Sequence, residues 1–374
     1  MTAPARVLIV GAGLIGTSVA LALREQGTDV FLIDADPATA KLAADLGAGT
    51  VVKDLRDAKG IADVALLAMP PALVGAELAF AQECAVADFY TDVASVKALP
   101  VAQARALGCD LGTYVPGHPL AGRERQGPAA AQADLFLGRT WALCPLAETL
   151  PAAVDAVTAL ALATGADPVR TDPETHDRWV ALVSHAPHLV AVAMAARLAP
   201  AEVPADALKL AGQGLRDVTR VAAGDSALWT QILVANAGPV AEVVAAAAQD
   251  LAAIARLLAS LAPPVLTDAA QADAATATGV TELLDRGRAG TGRIPGKHGG
   301  RQRNFTVVQV VIADQPSELS RLFKAADAAG VNIEDIRLEH SPGLPVGIAE
   351  LFVRPDQAAT LLDAMEAGGW PVRR

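Results

Sequence analysis

The chain has 374 residues, of which 52% are hydrophobic, 19% charged and 3% aromatic. This length exceeds the usual size of a single domain, so we expect two or three domains that each bury a core. The net charge of −11 argues against nucleic acid or an anionic membrane as the main partner. The three cysteines lie far apart, which argues against a disulfide framework or a zinc knuckle and favours the cytoplasm.

The N-terminal segment RVLIVGAGLIG (residues 6–16) is typical of a buried strand, a glycine turn and the start of a helix. It lacks the basic region, long apolar run and cleavage site of a secretory signal peptide. In a G-x-G-x-x-G turn the first glycine permits the tight bend, the second lets the backbone approach a pyrophosphate, and the third lets the helix pack on the strand. The helix N-terminus then attracts the phosphates. The candidate cofactor-binding residues are Gly11, Gly13, Leu14, Ile15 and Gly16.

A second predicted strand, Asp29–Ile33, leads into Asp34. This acid follows the glycines by about 20 residues, the distance at which a carboxylate binds ribose hydroxyls. No arginine follows it directly, so a 2′-phosphate would be repelled, and NAD is favoured over NADP. The alternative is that the glycines only form a turn and that Asp34 caps the helix after it.

Further strands are predicted over residues 64–68 and 88–92 at the spacing of an α/β fold. In a parallel sheet the loops after the strands collect at one edge, where ligands bind. The side chains expected at this edge, besides those above, are Met69, Pro70, Ser95 and His118, the last after a short strand-like run.

From Leu150 to about Ala262 the pattern changes to long Ala/Leu/Val helical segments, which predicts an all-helical second domain. Two polar clusters interrupt it, SHAPH (184–188) and GQGLRDVTR (212–220). Pro187 is expected to kink its helix, and the planar fork of arginine suits a substrate carboxylate. The alternatives are core histidines, solvated arginines and, for Trp229, a core aromatic. No carboxylate cluster or cysteine pair supports a metal site.

Residues 291–303 are basic and rich in glycine and are predicted to be a linker. The remaining residues, 304–374, alternate in the order βαββαβ, which predicts a ferredoxin-like domain.

Taken together, these segments resemble the prephenate dehydrogenase family, the dehydrogenases of tyrosine biosynthesis. The resemblance rests on VGAGLIGTS (10–18), DVASVK (92–97), GHPLAGRERQG (117–127), SHAPH and GQGLRDVTR, in family order. Residues 314–336 resemble an ACT domain, a module that often binds an amino acid at a subunit interface.

The resemblance implies four parts: an NAD-binding Rossmann-type domain (1–148), a helical substrate-binding and dimerisation domain (149–290), the linker (291–303) and an ACT regulatory domain (304–374). It implies NAD-dependent oxidative decarboxylation of prephenate to 4-hydroxyphenylpyruvate by a homodimer, with tyrosine as the effector. Arogenate and 4-amino-4-deoxyprephenate are alternative substrates. A non-catalytic amino-acid-responsive protein and a 3-hydroxyacid dehydrogenase are further alternatives, disfavoured by the histidines and arginine that are present.

The resemblance also implies roles for individual residues. His118 is the catalytic histidine that accepts a hydrogen bond from the ring hydroxyl, and Ser95, in a motif with Lys97, orients it. The implied substrate-binding residues are Glu124, Ser184, His185, His188, Asp217, Arg220 and Trp229. The implied effector-binding residues are Asp314, Ser317, Gly330 and Asn332.

Two positions depart from the family pattern. Gly224 lies where the family often has serine, which leaves the choice among the three substrates open. Ser317 lies where ACT domains commonly have glycine, so its side chain could narrow the approach of a ligand to the backbone.

Overall fold

The structure of the chain is a computed structural model. It describes residues 2–122, 126–200, 203–260, 269–294, 305–340 and 345–373. The chain forms two compact units, residues 1–248 and 249–374.

The first unit opens with a six-stranded parallel sheet. Its strands and helices are β1 (Arg6–Val10), α1 (Leu14–Glu25), β2 (Asp29–Ile33), α2 (Pro37–Asp45), β3 (Thr50–Val51), β4 (Ala62–Leu67), α3 (Pro71–Glu83), β5 (Ala87–Asp92), α4 (Ala98–Ala106) and β6 (Tyr114–Val115). The strand order β3-β2-β1-β4-β5-β6 is that of dinucleotide-binding folds, with the ligand site where the order reverses between β1 and β4. The predicted Rossmann-type fold is confirmed.

Strand β1 shows why this sheet forms. Its residues from Val7 onward are buried, with Val7 and Ile9 in one hydrophobic cluster and Leu8 and Val10 in another. Helices therefore cover both faces, as a continuous apolar strand requires.

A smaller sheet follows, made of β7 (Gly117–Pro119), β8 (Thr140–Leu143) and β9 (Asp167–Arg170), with α5 (Pro151–Ala163) between the last two strands. Helix α5 buries Val157 and Leu160 in the same cluster as Val7 of β1. The boundary expected at residues 148/149 therefore falls too early. Both α5 and β9 belong with the first domain, and the helical part begins at Pro173.

The helical part contains α6 (Pro173–Val180), a π-helical turn (Ala181–His185), α7 (Ala186–Ala196), α8 (Ala205–Leu208), α9 (Gln213–Thr219), a 3-10 turn (Arg220–Ala223), α10 (Ser226–Ala235) and α11 (Ala237–Ser260). From Pro173 to Ala196 the helix is continuous over 24 residues. Pro187 is in the first turn of α7, directly after the π-helical turn. By length and hydropathy alone this helix could cross a membrane, with 33% of its apolar window buried.

The second unit contains α12 (Ala269–Thr291), β10 (Thr306–Ala313), α13 (Glu318–Ala328), β11 (Asp335–His340), β12 (Val346–Val353), α14 (Ala358–Ala367) and β13 (Val372–Arg373). From β10 onward the order is βαββαβ, as predicted, and the antiparallel sheet has the order β11-β12-β10-β13. Leu322 of α13 and Leu361 of α14 pack against Val310 in one core. Most of the predicted linker lies outside the described residues.

Ser317 immediately precedes α13 with φ +73°, in the left-handed region that favours glycine. Its side chain makes no capping hydrogen bond within the described part of the chain. We expect Ser317→Gly to raise the free energy of unfolding of this domain by about 1 kcal/mol, because glycine avoids the steric cost without losing a bond. Urea denaturation measures the change. Ser320→Gly, at an exposed position inside α13, is the control and should lower stability by about 0.5 kcal/mol. A loss of stability in Ser317→Gly would contradict the strain.

Candidate active site

The glycine turn between β1 and α1 has the geometry of a phosphate-binding loop. Gly11 has φ +103°, and a Cβ there would lie 2.2 Å from the carbonyl oxygen of Ala68. A Cβ on Gly16 would lie 2.0 Å from the carbonyl oxygen of Gly11. A Cβ on Gly13 would meet no atom of the described chain within 4 Å. The backbone at Gly13 is therefore open to a ligand, while the other two glycines allow the turn to close.

Asp34 lies beside this loop. Its carboxylate accepts hydrogen bonds from the backbone N–H of Ala12 at 2.7 Å and of Asp36 at 2.9 Å. The helix α2 is capped by Asp36, whose Oδ1 accepts from Ala38 N. The alternative in which Asp34 caps this helix is therefore wrong. These groups suit a dinucleotide: open backbone for the phosphates and a fixed carboxylate for the ribose.

Next to Ser95, a cavity of about 560 Å³ opens between the end of the first domain and the helical part. It is lined by Ser95, His118, Leu120, Ala121, Gly122, Gln126, Val180, Val183, Ser184, His185, His188, Val221, Gly224, Asp225, Leu228, Trp229 and Ile232. Six predicted site residues thus meet in one place. Asp217 and Arg220 are exposed, in α9 and the following 3-10 turn, and are not among the lining residues. Glu124 lies outside the described residues.

His118 belongs to a chain of hydrogen bonds that the sequence did not predict. Its Nδ1 lies 3.0 Å from Nε2 of His176, and Nδ1 of His176 lies 2.8 Å from Oδ1 of Asp177. The Asp177 carboxylate also accepts from the backbone N–H groups of Lys97 at 2.8 Å and Ala98 at 2.9 Å. The start of α4 thereby fixes Asp177, and through it both rings. Ser95 lines the same cavity as His118.

A buried ion pair stabilises the strand that carries His118. Lys97 and Asp92 are both fully buried, and the Lys97 ammonium contacts the Asp92 carboxylate. The ammonium also donates to the carbonyl of Gly117, the residue before His118. The second oxygen of Asp92 accepts from the hydroxyl of Tyr114 at 2.6 Å. The Lys97 side chain therefore fixes the strand that carries His118, while its backbone fixes Asp177.

Asn236 sets the proton positions on His185. Its Nδ2 donates to the carbonyl of Asp177 at 2.8 Å and lies 3.1 Å from Nδ1 of His185. Because the carbonyl requires a donor, the amide nitrogen must face this way, and its second hydrogen goes to Nδ1 of His185. A neutral His185 then carries its own proton on Nε2 and can donate it to a ligand.

His188 and Trp229 form a stacked pair that also lines the cavity. Their ring centroids are 3.5 Å apart and the planes differ by 8°. Gly224 lies against this pair, where a Cβ would be 2.6 Å from Nε1 of Trp229 and 3.3 Å from Cε1 of His188. Glycine at this departure from the family pattern therefore leaves space that the indole occupies.

The histidines of the cavity are held neutral. Burial lowers the pKa of His118 well below its usual value of 6.5, and the nearby His176, Lys97 and His185 lower it further. Burial also lowers the pKa of His185 to about 4, although Asp177 opposes the shift. Burial lowers the pKa of His188 as well. Neutral imidazoles at physiological pH provide acceptors and donors without adding positive charge.

These pKa values predict how stability depends on pH. The folded protein keeps His118, His185 and His188 neutral at a pH where the unfolded chain protonates them, so the unfolded state binds more protons. The free energy of unfolding should therefore fall as the pH decreases below about 6.5, with His185 alone contributing about 1 kcal/mol at pH 5.5. Urea denaturation between pH 5.5 and 7.5 measures the slope. His185→Gln, which can still accept from Asn236, should reduce it, and an equal slope in both proteins would contradict the assignment.

Sequence reasoning missed His176, Asp177 and Asn236. His176 and Asp177 belong to no motif in the resemblance, and their signal is weak: two adjacent polar residues on an otherwise buried helix face. Asn236 lies at the end of α10, where a buried side-chain amide indicates a structural bond. The described ranges contain no group of three or more His, Cys, Asp or Glu placed to hold a metal ion.

A dinucleotide-binding sheet whose ligand edge adjoins a cavity of neutral histidines defines an NAD-dependent oxidoreductase. The chain matches the family described as prephenate dehydrogenase, nucleotide-binding domain, over residues 19–169, and the prephenate dehydrogenase dimerization domain over residues 172–270. It is 38% identical over 366 residues to probable prephenate dehydrogenase NovF of Streptomyces niveus, covering 97% of this chain and 98% of the relative. The chain belongs to the prephenate dehydrogenase family.

Other relatives match a smaller part. Prephenate dehydrogenase of Bacillus subtilis is 33% identical over 242 residues, 62% of this chain and 64% of that protein. The structure of Aquifex aeolicus prephenate dehydrogenase in complex with hydroxyphenyl propionate and NAD+ superposes with a TM-score of 0.64 and 26% identity, covering 77% of this chain and 98% of that one. Synechocystis arogenate dehydrogenase gives a TM-score of 0.58 and 28% identity, covering 72% and 97%. The two family matches meet near residue 170, close to where the helical part begins.

Proposed function

We propose that the protein oxidises and decarboxylates prephenate to 4-hydroxyphenylpyruvate with NAD+. One observation supports this most: His118 lines the cavity in a neutral state with Nδ1 engaged by His176, and its Nε2 has no hydrogen-bond partner among the described residues. A neutral imidazole nitrogen is the acceptor that a ring hydroxyl needs as it becomes a carbonyl. The hydroxyphenyl propionate bound to the Aquifex aeolicus relative has the ring and side-chain pattern of the proposed product.

The cavity residues are assigned to two parts of the substrate, the ring hydroxyl and the side chain. When bound, NAD+ supplies the acceptor for the hydride that leaves the ring. His118 accepts the hydrogen bond of the hydroxyl, and Ser95, which lines the same cavity, is a polar group available to orient it. At the other end, the neutral His185 and His188 offer hydrogen bonds to the side chain. Decarboxylation needs little assistance, because aromatisation of the ring drives it.

Arg220 is proposed to bind a substrate carboxylate, with Glu124 and Asp217 in a network at the entrance. Arg220 directly precedes Val221, which lines the cavity. The proposal requires the Arg220 side chain to turn toward the cavity when substrate binds.

The test is NAD+ reduction, followed by absorbance of the reduced cofactor, with prephenate, arogenate and 4-amino-4-deoxyprephenate in parallel. Turnover should be highest with prephenate. Preferred turnover of arogenate would assign the enzyme to the activity named for the Synechocystis neighbour, and preferred turnover of the amino compound would assign it to the third alternative. Gly224 lies against Trp229 and His188, which is the part of the cavity proposed to bind the substrate side chain, where arogenate differs from prephenate. No turnover of any substrate would contradict the proposal.

A homodimer is proposed as the working assembly, in the cytoplasm. The second family match carries the description of a dimerization domain. In the single chain, several large apolar side chains of the helical part are exposed, among them Trp179 at 54%, Leu182 at 59% and Leu210 at 86%. Such a surface favours a protein partner. Light scattering of the purified protein should give about twice the mass of one chain.

The C-terminal βαββαβ domain is proposed to be an ACT domain that responds to tyrosine. Asn332 lines a cavity of about 380 Å³ beside Phe323 and Glu334, and its Nδ2 donates to Oε1 of Glu334 at 3.0 Å. Gly330, at φ +66°, lies two residues before it. Asp314 and Ser317 are at the other end of α13, near the β10–α13 turn, and are not among the residues that line this cavity.

If tyrosine binds at this cavity, Asn332→Ala should weaken its inhibition by about tenfold or more, because a hydrogen-bonding group is lost. Tyrosine titrations of the NAD+ reduction rate with full-length proteins measure this. Asp363→Asn, an exposed change on α14, is the control. Unchanged inhibition in Asn332→Ala would mean that tyrosine acts elsewhere, for example in the catalytic cavity.

A further inference from the structure

We propose that His176 and Asp177 form a proton relay with His118, which holds the substrate's hydroxyl proton during the reaction and returns it to the same oxygen. The inference rests on the proposed function, because it needs a substrate with a ring hydroxyl. It assigns a charge-balancing role to two residues that lie behind the cavity wall.

The hydrogen-bond partners fix the direction of the relay. Oδ1 of Asp177 accepts from the backbone of Lys97, and Oδ2 accepts from Ala98, so the group is a carboxylate acceptor. Nδ1 of His176 must therefore donate, which leaves its Nε2 as an acceptor. Nδ1 of His118 must then donate to that nitrogen. Both Nδ1–H groups, of His118 and of His176, therefore point along the chain of hydrogen bonds toward Asp177. Nε2 of His118 carries no proton and can accept that of a hydroxyl.

The surroundings explain why His118 needs the relay. Its pKa is lowered by burial and by the nearby His176, Lys97 and His185, which makes it a weak base by itself. The positive charge of Lys97 is already paired with Asp92. Asp177 is the carboxylate that hydrogen-bonds to this histidine pair, so it can balance a new positive charge there, and His176 is the group that connects it to His118.

The proton transfers balance. As hydride leaves the ring carbon for NAD+, the hydroxyl proton moves to Nε2 of His118 and the Nδ1 proton of His118 moves to Nε2 of His176. The histidine pair then carries one positive charge, which faces Asp177. When the ring carboxylate leaves as CO₂, its electron pair enters the ring and the same oxygen becomes a phenolate. That phenolate takes the proton back by the reverse transfers, so the histidines end as they began.

The first test reads the proton positions without substrate. The chain has six histidines, so ¹⁵N-histidine NMR of the free full-length protein gives a small number of imidazole signals, assigned with His118→Asn and His176→Gln. We expect the Nδ1–H tautomer for both His118 and His176 near neutral pH, and the Nε2–H tautomer for His185. An Nε2–H tautomer on His118 would overturn the proposal, because that nitrogen could not then accept the hydroxyl proton.

The second test reads the reaction. His176→Gln keeps an acceptor and a donor in place but cannot carry a proton, so we expect kcat to fall about 100-fold or more with KM changed by less than about threefold. The acid limb of the kcat profile should also move to higher pH, because His176 is one of the groups that lower the pKa of His118. Glu174→Gln, an exposed change on the same helix, is the control.

The outcomes separate this proposal from the proposed function. If prephenate is turned over and His176→Gln keeps wild-type kcat and the wild-type acid limb, the relay is overturned while the function stands. If no substrate reacts but the tautomers are as expected, the relay geometry stands and the substrate assignment fails. If His176→Gln does not fold, two other measurements test the relay. The first is the tautomers of the wild-type protein. The second compares Asp177→Glu, which keeps a carboxylate, with Asp177→Asn: the relay predicts a higher kcat for Asp177→Glu, and equal kcat values would overturn it.

Discussion

Replacing His118 with asparagine is expected to lower kcat by about 10²- to 10⁴-fold, while KM changes by less than about fivefold. Asparagine can form a hydrogen bond but cannot take up a proton, so the loss falls on the step in which the hydroxyl becomes a carbonyl. The proposed proton relay would also lose its first member, the His118 imidazole that receives the hydroxyl proton. Steady-state rates of NAD+ reduction at several prephenate concentrations separate the two constants.

Arg220→Gln is the matched comparison. Because a carboxylate contact acts on the bound substrate as well as on the transition state, this variant should mainly raise KM. The opposite pattern, with His118→Asn raising KM and Arg220→Gln lowering kcat, would show that the two roles are exchanged.

Lys97→Met is expected to lower the free energy of unfolding by about 3–5 kcal/mol, because it leaves the charge of Asp92 buried without a cation. Tyr114 and the backbone of Ala94 would still donate to that carboxylate, but neutral donors do not replace an ammonium. The variant also removes the donor to the Gly117 carbonyl, so the strand that carries His118 loses its support. Urea denaturation measures the loss.

Two further variants show whether the effect comes from the buried charge. Lys41→Met removes the cation of an exposed pair with Asp45, also made by a lysine ammonium, and should change stability by less than about 0.5 kcal/mol. Asp92→Asn combined with Lys97→Met removes both buried charges and should be more stable than Lys97→Met alone. A single variant as stable as the wild type would mean that Asp92 is not ionised in the folded protein.

The sequence was sufficient for the dinucleotide site because its requirements are local. Gly11, directly after β1, needs a positive φ, and Gly16, in the first turn of α1, needs close packing against the chain. The periodicity of the last 70 or so residues likewise predicted the βαββαβ order that the described part of this domain shows, since each element is amphipathic over a short stretch.

The partners of His118 could not be predicted in this way. His176 is 58 residues from it, and only the packing of α6 on the first domain brings the two rings together. The domain boundary failed for a related reason. Helix α5 is as rich in alanine and leucine as the helices after it, and β9 contains Pro168, so composition alone does not show that both complete the first domain. The parallel pairing of β9 with β8 places β9, and the helix α5 before it, in the first domain.

The π-helical turn at Ala181–His185 has a consequence for insertions and deletions. A π-turn holds one residue more than the regular α-helix that surrounds it, and here it connects the relay pair on α6 to His185 and His188. Five residues of a π-turn rotate the chain only slightly more than four residues of an α-helix, so loss of one residue within the turn would leave an unbroken α-helix and move the following residues little. Loss of one residue from the regular helix between His176 and Ala181 would instead rotate everything after it by about 100°, and His185 and His188 would turn away from the cavity. This helix should therefore tolerate a change of chain length at the π-turn that abolishes activity in the regular turn beside it.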